Sequence, residues 1–222
     1  MKAILIPVKN FAESKQRLAD HYSAAERAAL AEALCEDFLR IVAGVRGVDR
    51  VFVVSQEPRA LAWAREKGWD TVVETAQISE SHSVDAASRH CAEQGVSALL
   101  RLPIDIPLAT ARDIEALFRH AEDAPTTVIV PSRDSTGTNA LLRSPPTLFP
   151  SHFGPGSFAL HLDEAKRCDA CVRIMRNARI ELDIDEIEDL REVAGSAPAG
   201  SALAEWLAAH FPNEKGPSPP GG

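Results

Sequence analysis

Asp105 stands at the end of an apolar run, Leu99–Leu108, where it lies between Pro103 and Pro107. A lone charge at the end of a buried strand is costly to desolvate unless it has a partner. In open α/β sheets, ligands bind at the carboxyl ends of the strands. We therefore predict that Asp105 is a metal ligand on which other segments converge. Taken alone, the residue is more simply explained as a solvated aspartate in a proline-rich turn.

Two further carboxylates, Asp183 and Asp185, lie two residues apart in a segment expected to be extended. Because strand periodicity places alternate residues on one face, both can point the same way. Two like charges this close repel each other and favour a cation between them. A ligand set made only of oxygen atoms suits Mg²⁺ rather than Zn²⁺. The simpler interpretation is an acidic cap for the following helix, and we expect Asp185 to cap it in either case.

Cationic residues follow the first apolar run, at Lys9, Lys15 and Arg17. Cations along one loop at the edge of a sheet suit the phosphates of a nucleotide, and a solvated basic loop is the alternative. Two later segments, Gly137–Asn139 and Gly154–Ser157, combine small residues and hydroxyls that suit an anion. The second of them opens a helix, whose N-terminus favours a phosphate or carboxylate. Each segment alone is more simply a turn or a cap, so the functional interpretation rests on their combination.

Several common catalytic signatures are missing from the sequence. It contains neither a Walker A loop nor a Gly-x-Gly-x-x-Gly motif, and neither a Gly-x-Ser-x-Gly elbow nor a His-Glu-x-x-His pair. Cys168 and Cys171 form a Cys-x-x-Cys pair, but no second pair follows at matching spacing. We therefore expect two ordinary thiols rather than zinc binding or redox chemistry.

The composition is that of an ordinary globular protein. The 222 residues carry a net charge of -8, and no run of eighteen apolar residues is present. We expect a single domain over residues 1–211, followed by a disordered Pro/Gly-rich tail over 212–222. The acidic balance argues weakly against nucleic-acid binding. The chain is expected to be cytoplasmic, without a membrane partner.

Hydrophobic periodicity predicts alternating strands and helices that would gather these residues at one edge of a sheet. The expected strands are Lys2–Val8, Val48–Val54, Thr71–Val73, Ala98–Leu102, Thr126–Pro131, Ala140–Arg143, Val172–Met175 and Ile180–Asp183. The expected helices are one from the Ser23 cap to Gly44, then Pro58–Lys67, Ser83–Gln94, Thr110–His120, Phe158–Lys166, Glu186–Val193 and Ala202–Phe211. The alternation indicates an α/β fold with a mostly parallel sheet and helices on both faces.

Several of these pieces occur together, and in the same order, in one known family. They are Ile6–Lys9 with Lys15–Leu18, Leu102–Leu108, Gly137–Leu142, Phe153–Phe158 with His161, and Leu182–Asp185 with Asp189–Leu190. On these residues the chain resembles the nucleotidyltransferases that make the phospholactyl- or enolpyruvyl-guanosine diphosphate precursor of the deazaflavin coenzyme F-420. They include 2-phospho-L-lactate guanylyltransferase of archaea and phosphoenolpyruvate guanylyltransferase of bacteria. The resemblance implies a three-layer α/β/α fold of the GT-A-like, Rossmann-like type.

The resemblance also implies roles for individual residues. The implied assignments are Mg²⁺ binding by Asp105, Asp183 and Asp185, triphosphate binding and catalysis by Lys9, Lys15 and Arg17 together with Asp105, and substrate binding by Thr138, Asn139, Gly154, Gly156 and Ser157. One segment departs from the family pattern. Ser81–Ala87 stands where the family carries a Gly-Leu-Asn-x-Ala-Leu segment that touches the nucleotide, so the base specificity stays open.

The expected substrates are GTP and a small phosphorylated three-carbon acid, which is phosphoenolpyruvate, 3-phosphoglycerate or 2-phospho-L-lactate. The phosphate of the acid would attack the α-phosphorus of GTP and expel pyrophosphate, with Mg²⁺ as the cofactor. Two alternatives stay open. One is a transferase of the same fold for a sugar phosphate, a phosphonate or molybdopterin, and the other is a nucleotide-binding protein without catalysis. A homodimer is compatible with the sequence.

Overall fold

The computed structural model describes residues 1–76, 78–121 and 125–211. The tail expected over 212–222 lies outside these residues. The strands are β1 Lys2–Val8, β2 Arg50–Ser55, β3 Asp70–Val73, β4 Ala98–Arg101, β5 Thr126–Pro131, β6 Thr138–Ser144 and β7 Cys171–Ile174. The α-helices are α1 Ala24–Ala43, α2 Pro58–Glu66, α3 Glu80–Glu93, α4 Ala111–Phe118, α5 Ser157–Arg167, α6 Ala178–Glu181, α7 Ile187–Ala194 and α8 Ala202–His210.

The seven strands form one sheet in the order β3-β2-β1-β4-β6-β5-β7. Strand β6 is antiparallel to both of its neighbours, and the other four pairs are parallel. The prediction of a mostly parallel sheet is therefore confirmed. Because β6 runs in the opposite direction, its first residues lie at the edge where the parallel strands end. This reversal brings Thr138 and Asn139 to the same edge as the residues that follow β1 and β4.

Strand β1 is buried on both faces, which is typical of a central parallel strand. On one face, Ile4 and Ile6 belong to an apolar cluster that includes Phe38 of α1. On the other face, Leu5 belongs to a second cluster that includes Val84 of α3. Helices therefore cover both sides of the sheet, and the predicted three-layer α/β/α arrangement is confirmed.

The long helix α1 begins at the predicted Ser23 cap, which forms a capping box with Glu26. Ser23 Oγ accepts the N–H of Glu26, and the Glu26 carboxylate accepts the N–H of Ser23. The same helix holds α8 in place, because the Asp37 carboxylate accepts the N–H groups of Ala202 and Leu203 at 3.0 and 2.9 Å. The last described helix is thus anchored by a carboxylate at its first turn.

The predicted strand over Ile180–Asp183 is wrong. The short helix α6 extends through Glu181, because Asn177 Oδ1 accepts the N–H of Arg179 at 3.0 Å and caps the turn. The chain after α6 then crosses the loop that follows β4, where the Ile184 N–H donates to the Asp105 carbonyl at 2.9 Å. This backbone contact, rather than a strand pairing, brings the second acidic segment to Asp105.

Two predicted helix starts are also wrong. Helix α3 begins at Glu80 rather than Ser83, because Ser79 Oγ accepts the N–H of His82. Asp185 does not cap α7, since the carboxylate of Asp189 accepts the N–H groups of both Asp185 and Glu186. The Asp185 carboxylate is consequently available for cations across the site.

The two thiols of the Cys-x-x-Cys pair, Cys168 and Cys171, form no disulfide bond. Within the described ranges, no helix combines the length and the apolar character that crossing a bilayer requires.

Candidate active site

Two adjoining cavities open at the edge of the sheet where the parallel strands end. We call the first, of about 540 Å³, the β6 cavity; its own wall includes Thr138, Asn139, Phe153, Ser157 and Asp183. We call the second, of about 370 Å³, the β1 cavity; its own wall includes Ser14, Lys15, Gln16 and Ser83. Both are lined by Lys9, Arg17, Glu80, Arg101, Pro103, Asp105, Gly154 and Asp185.

Asp105, on the shared wall, forms an ion pair with Lys15, on the wall of the β1 cavity. Lys15 Nζ lies 2.5 Å from Asp105 Oδ2, 2.5 Å from the Ile184 carbonyl and 3.7 Å from Asp185 Oδ1. Burial opposes the charge of Lys15, but the neighbouring carboxylates outweigh it and raise the pKa of the ammonium. Burial likewise opposes the charge of Asp105, yet Lys15 and Arg101 lower the pKa of that carboxyl. Both groups are therefore ionised at neutral pH.

The backbone of Lys15 adopts a left-handed conformation, with φ of 54°. This conformation is uncommon for a residue other than glycine. The three contacts of its side chain hold it there. Arg17, two residues on, reaches Asp185 Oδ2 at 3.0 Å, so the loop after β1 contacts both acidic segments.

The charged form of Asp183 is disfavoured by its surroundings. Burial, and then the charges of Asp105 and Asp185, raise the pKa of Asp183 to about 6. Its hydrogen-bond donor is Asn139, whose Nδ2 lies 3.1 Å from Asp183 Oδ1 and also donates to the carbonyls of Ile180 and Glu181. The buried Asn139 amide thus holds the acidic segment in place through hydrogen bonds.

The raised pKa of Asp183 predicts a stabilising substitution. The pKa of this carboxyl is higher in the folded than in the unfolded state. The folded protein therefore loses stability as the pH rises from about 4 to above 6. We expect Asp183→Asn to raise Tm at pH 8 in the presence of a chelator, because a shift of this size corresponds to about 2–3 kcal/mol. The gain should vanish at pH 4. Calorimetric melting at the two pH values checks this, and an equal Tm for both proteins at pH 8 would contradict it.

The chemistry of the acidic set fits a divalent cation only in part. Asp105, Asp183 and Asp185 supply oxygen atoms alone, as Mg²⁺ prefers. Across residues 1–76, 78–121 and 125–211, however, no three ligating side chains are grouped closely enough to hold an ion by themselves. Mg²⁺ commonly takes one or two carboxylates and completes its shell with substrate phosphates. The donor set suits that arrangement better than a cage made only of protein.

The glycine-rich segment before α5 forms one end of the β6 cavity. Gly154 and Gly156 have φ of 124° and 74°, which side-chain-bearing residues rarely adopt. Gly156 is the capping residue of α5, and Ser157 is its first residue. Gly154 and Ser157 line the cavity, while the contribution of Gly156 is this helix start. The N-terminus of α5 therefore lies at this end of the cavity, where the N–H groups of Ser157 and Phe158 donate to the carbonyls of Gly154 and Thr136.

Arg101 and Glu80 were missed by the sequence analysis. Arg101 is 5% exposed, stacks on the Phe153 ring at 4.0 Å from its centroid and forms an ion pair with Glu80. Its Nε is buried without a hydrogen-bond partner among the described residues. Burial lowers the pKa of Arg101 to about 10, which leaves it charged at neutral pH. The signal was an arginine inside an apolar strand, four residues before Asp105.

This three-layer fold, with carboxylates and cations gathered at the ends of its strands, is the architecture of nucleotidyltransferases. Solved structures show the same architecture. A protein assigned as a nucleotide-diphospho-sugar transferase from Desulfovibrio desulfuricans G20 superposes with a TM-score of 0.74 at 17% identity, covering 95% of this chain and 96% of that one. A nucleotidyl transferase from Methanothermobacter thermautotrophicus superposes with a TM-score of 0.59 at 14% identity, covering 94% and 99%.

Sequence relatives define the family within this class. Residues 1–200 match the family described as "Guanylyl transferase CofC like". Phosphoenolpyruvate guanylyltransferase of Rubrobacter xylanophilus is 36% identical over 194 residues, 86% of this chain and 93% of that protein. 2-Phospho-L-lactate guanylyltransferase of M. thermautotrophicus is 31% identical over 189 residues, 85% and 82% of the two chains. The chain belongs to the CofC-like guanylyl transferase family, as the resemblance implied, and is a guanylyltransferase.

Proposed function

We propose that this protein joins the GMP moiety of GTP to the phosphate of a small three-carbon phospho-acid, with release of pyrophosphate, in the biosynthesis of coenzyme F-420. The observation that carries the proposal is the shared wall of the two cavities, where Asp105 and Asp185 meet Lys15 and Arg17. The names of the relatives specify phosphoenolpyruvate and 2-phospho-L-lactate as acceptors. Those names support the choice of a three-carbon phospho-acid here.

The reaction requires positioning more than proton transfer. A phosphate oxygen of the acid is already ionised at neutral pH and attacks the α-phosphorus in line, so no general base is needed. We assign the triphosphate to the β1 cavity, where Lys9, Lys15 and Arg17 neutralise the charge that develops on pyrophosphate. The acid lies in the β6 cavity. The attacking and leaving groups then meet at the wall that both cavities share.

The acidic residues have a separate role. Asp105, Asp183 and Asp185 would hold Mg²⁺ together with phosphate oxygens of the nucleotide. When bound, the ion would supply further neutralisation of the α-phosphate and of the leaving group. Lys15 keeps Asp105 ionised and fixed at the shared wall. Asn139 holds the segment that carries Asp183 in place through its hydrogen bond to that carboxylate.

We assign the anionic groups of the acid to Arg101, Ser157 and the N-terminus of α5. The Arg101 guanidinium has an unpaired Nε donor and lines the cavity. A planar guanidinium can donate two parallel hydrogen bonds to a carboxylate or a phosphate. When no acid is bound, the Glu80 carboxylate pairs with Arg101 and also lies 4.0 Å from the Lys9 ammonium, so it balances part of this positive charge.

A matrix of substrates tests the proposal. GTP, ATP, CTP and UTP are each combined with three acids, phosphoenolpyruvate, 2-phospho-L-lactate and 3-phosphoglycerate. A sugar phosphate, a phosphonate and molybdopterin are included as alternative acceptors, and pyrophosphate release is measured with Mg²⁺. We expect release with GTP and at least one of the three acids. Release only with a sugar phosphate, a phosphonate or molybdopterin would replace the acceptor class. Tight binding of GTP without release on any acceptor would indicate a non-catalytic nucleotide-binding protein.

One observation favours an altered acceptor or base. The divergent segment Ser81–Ala87 lacks the Gly-Leu-Asn of the family. Its side chains instead form hydrogen bonds with the loop that precedes α5. Ser81 Oγ accepts the Phe153 N–H at 2.7 Å, and Asp85 accepts the Ser151 N–H at 3.0 Å. Comparing the four nucleoside triphosphates in the matrix detects a changed base specificity, and comparing the acceptors detects a changed acceptor.

A further inference from the structure

His161 lies behind the β6 cavity and has no exposed surface. It projects from α5 into an aromatic pocket, where its ring centroid lies 5.1 Å from that of Phe153 and 6.2 Å from that of Phe149. Both ring nitrogens are engaged. Nε2 lies 2.9 Å from the backbone nitrogen of His152, and Nδ1 lies 3.0 Å from Thr138 Oγ1. None of the roles assigned above uses this histidine.

The two contacts fix where the imidazole carries its proton. A backbone N–H can only donate, so Nε2 of His161 accepts from His152 and bears no hydrogen. Burial, and then the charges of Arg143, His152 and Arg101, lower the pKa of His161 to about 3, so the ring is neutral. A neutral imidazole without a hydrogen on Nε2 carries it on Nδ1. The Nδ1–H therefore donates to Thr138 Oγ1.

The direction of that hydrogen bond determines whether the Thr138 hydroxyl can donate its own hydrogen to a ligand. Its hydroxyl oxygen accepts from His161, so its own hydrogen is not used by the histidine. No other acceptor for this hydrogen is found among the described residues. Thr138 is 6% exposed and lines the β6 cavity. A ligand atom at this point of the cavity would meet a hydrogen-bond donor.

We propose that His161 is a positioning residue that holds the Thr138 hydroxyl as a donor toward an anionic oxygen of the acceptor. The inference rests on the proposed function, and it narrows the ligand chemistry. The group beside Thr138 must accept a hydrogen bond, as a phosphate or carboxylate oxygen does.

Two amide substitutions separate the two contacts of the ring. In His161→Asn, the side-chain amide can occupy the position of Nδ1 and donate to Thr138, while the contact with His152 is lost. In His161→Gln, the longer side chain can accept from the His152 N–H, while the donor to Thr138 is lost. The two variants remove one native contact each, so they are matched controls for each other.

The measurement is the KM for phosphoenolpyruvate, with the KM for GTP, kcat and Tm recorded for each protein. We expect Thr138→Val and His161→Gln to raise the KM for the acid about tenfold, without changing the KM for GTP. His161→Asn should stay within about threefold of the unmodified protein, and Thr138→Ser, which keeps the hydroxyl, should raise the KM for the acid less than Thr138→Val does. Thr138→Val combined with His161→Gln should be no worse than Thr138→Val alone, because both act through one hydrogen bond. Multiplying effects, or a larger loss in His161→Asn than in His161→Gln, would overturn the inference.

A spectroscopic signature is independent of catalysis. Two-bond ¹H–¹⁵N correlation spectra of the unmodified protein report which nitrogen of each histidine is protonated. We expect a histidine with a protonated Nδ1 and a bare Nε2 that is missing in the spectrum of the Asn variant. A protonated Nε2 on His161 would overturn the inference even if guanylyl transfer is observed. Failure of the proposed function is distinct, since it is the absence of turnover in the unmodified protein.

Discussion

We expect Asp105→Asn to lower kcat by at least about 10³-fold, because loss of one preorganised charged group at a reacting centre commonly costs 10²–10³ and this one has two roles. The asparagine keeps the shape of the side chain, and its backbone carbonyl still accepts the Ile184 N–H. What is lost is the charge that pairs with Lys15 at 2.5 Å and would help to hold Mg²⁺. The rate of pyrophosphate release at saturating GTP and phosphoenolpyruvate measures the effect.

Asp113→Asn is a matched control, since it also removes a buried carboxylate from an ion pair. Asp113 lies outside both cavities and pairs with Arg179 at 2.5 Å. The Arg179 side chain is 54% exposed, so the loss is that of a hydrogen bond to a charged group, about 1.5–3 kcal/mol. This variant should therefore melt earlier while its kcat stays within about twofold of the unmodified rate. Turnover by Asp105→Asn close to that of the unmodified protein would contradict the assigned role.

We expect Arg101→Met to raise the KM for the phospho-acid by about 10- to 100-fold, because a hydrogen bond to a charged group contributes about 1.5–3 kcal/mol. The KM for GTP should change by less than about threefold. Methionine fills a similar volume, but it leaves Glu80 without its partner, so we expect a lower Tm beside the change in KM. Initial rates over a range of acid concentrations, at saturating GTP, measure this effect.

Arg143→Met is the corresponding control, since Arg143 is an equally buried guanidinium at 2% exposure. It holds Ser88 Oγ at 2.9 Å and pairs with Asp85, away from the cavity walls. We expect this variant to lower Tm without a selective rise in the KM for the acid. If both variants raised that KM equally, Arg101 would be a structural residue only.

The central carboxylate and its ammonium partner could be anticipated because their signals are local. Asp105 follows an apolar strand directly, and Lys15 belongs to a basic loop directly after another. Parallel strands end at one edge, so residues that follow different strands come together without further information. The residues implied by the family resemblance for the acid site, Thr138, Gly154 and Ser157, line one cavity in the same way.

Other features depended on contacts between distant segments and could not be deduced from spacing. The partner of Arg101 is Glu80, 21 residues earlier, in a stretch that the sequence analysis placed before the helix. The position of Asp183 depends on the hydrogen bond from the Ile184 N–H to the Asp105 carbonyl, and not on the pairing of a strand. Asp189, rather than Asp185, satisfies the first backbone donors of α7. In each case a side chain or a backbone group overrode the local pattern.

The most direct test of guanylyl transfer follows the acceptor oxygens. Phosphoenolpyruvate labelled with oxygen-18 at its three non-bridging phosphoryl oxygens is incubated with the protein, GTP and Mg²⁺, and the products are separated and analysed by mass spectrometry. Attack on the α-phosphorus predicts a guanylylated acid that retains all three labelled oxygens, in a 1:1 ratio with unlabelled pyrophosphate. Labelled pyrophosphate, or release of GMP with no guanylylated acid, would contradict the proposed reaction.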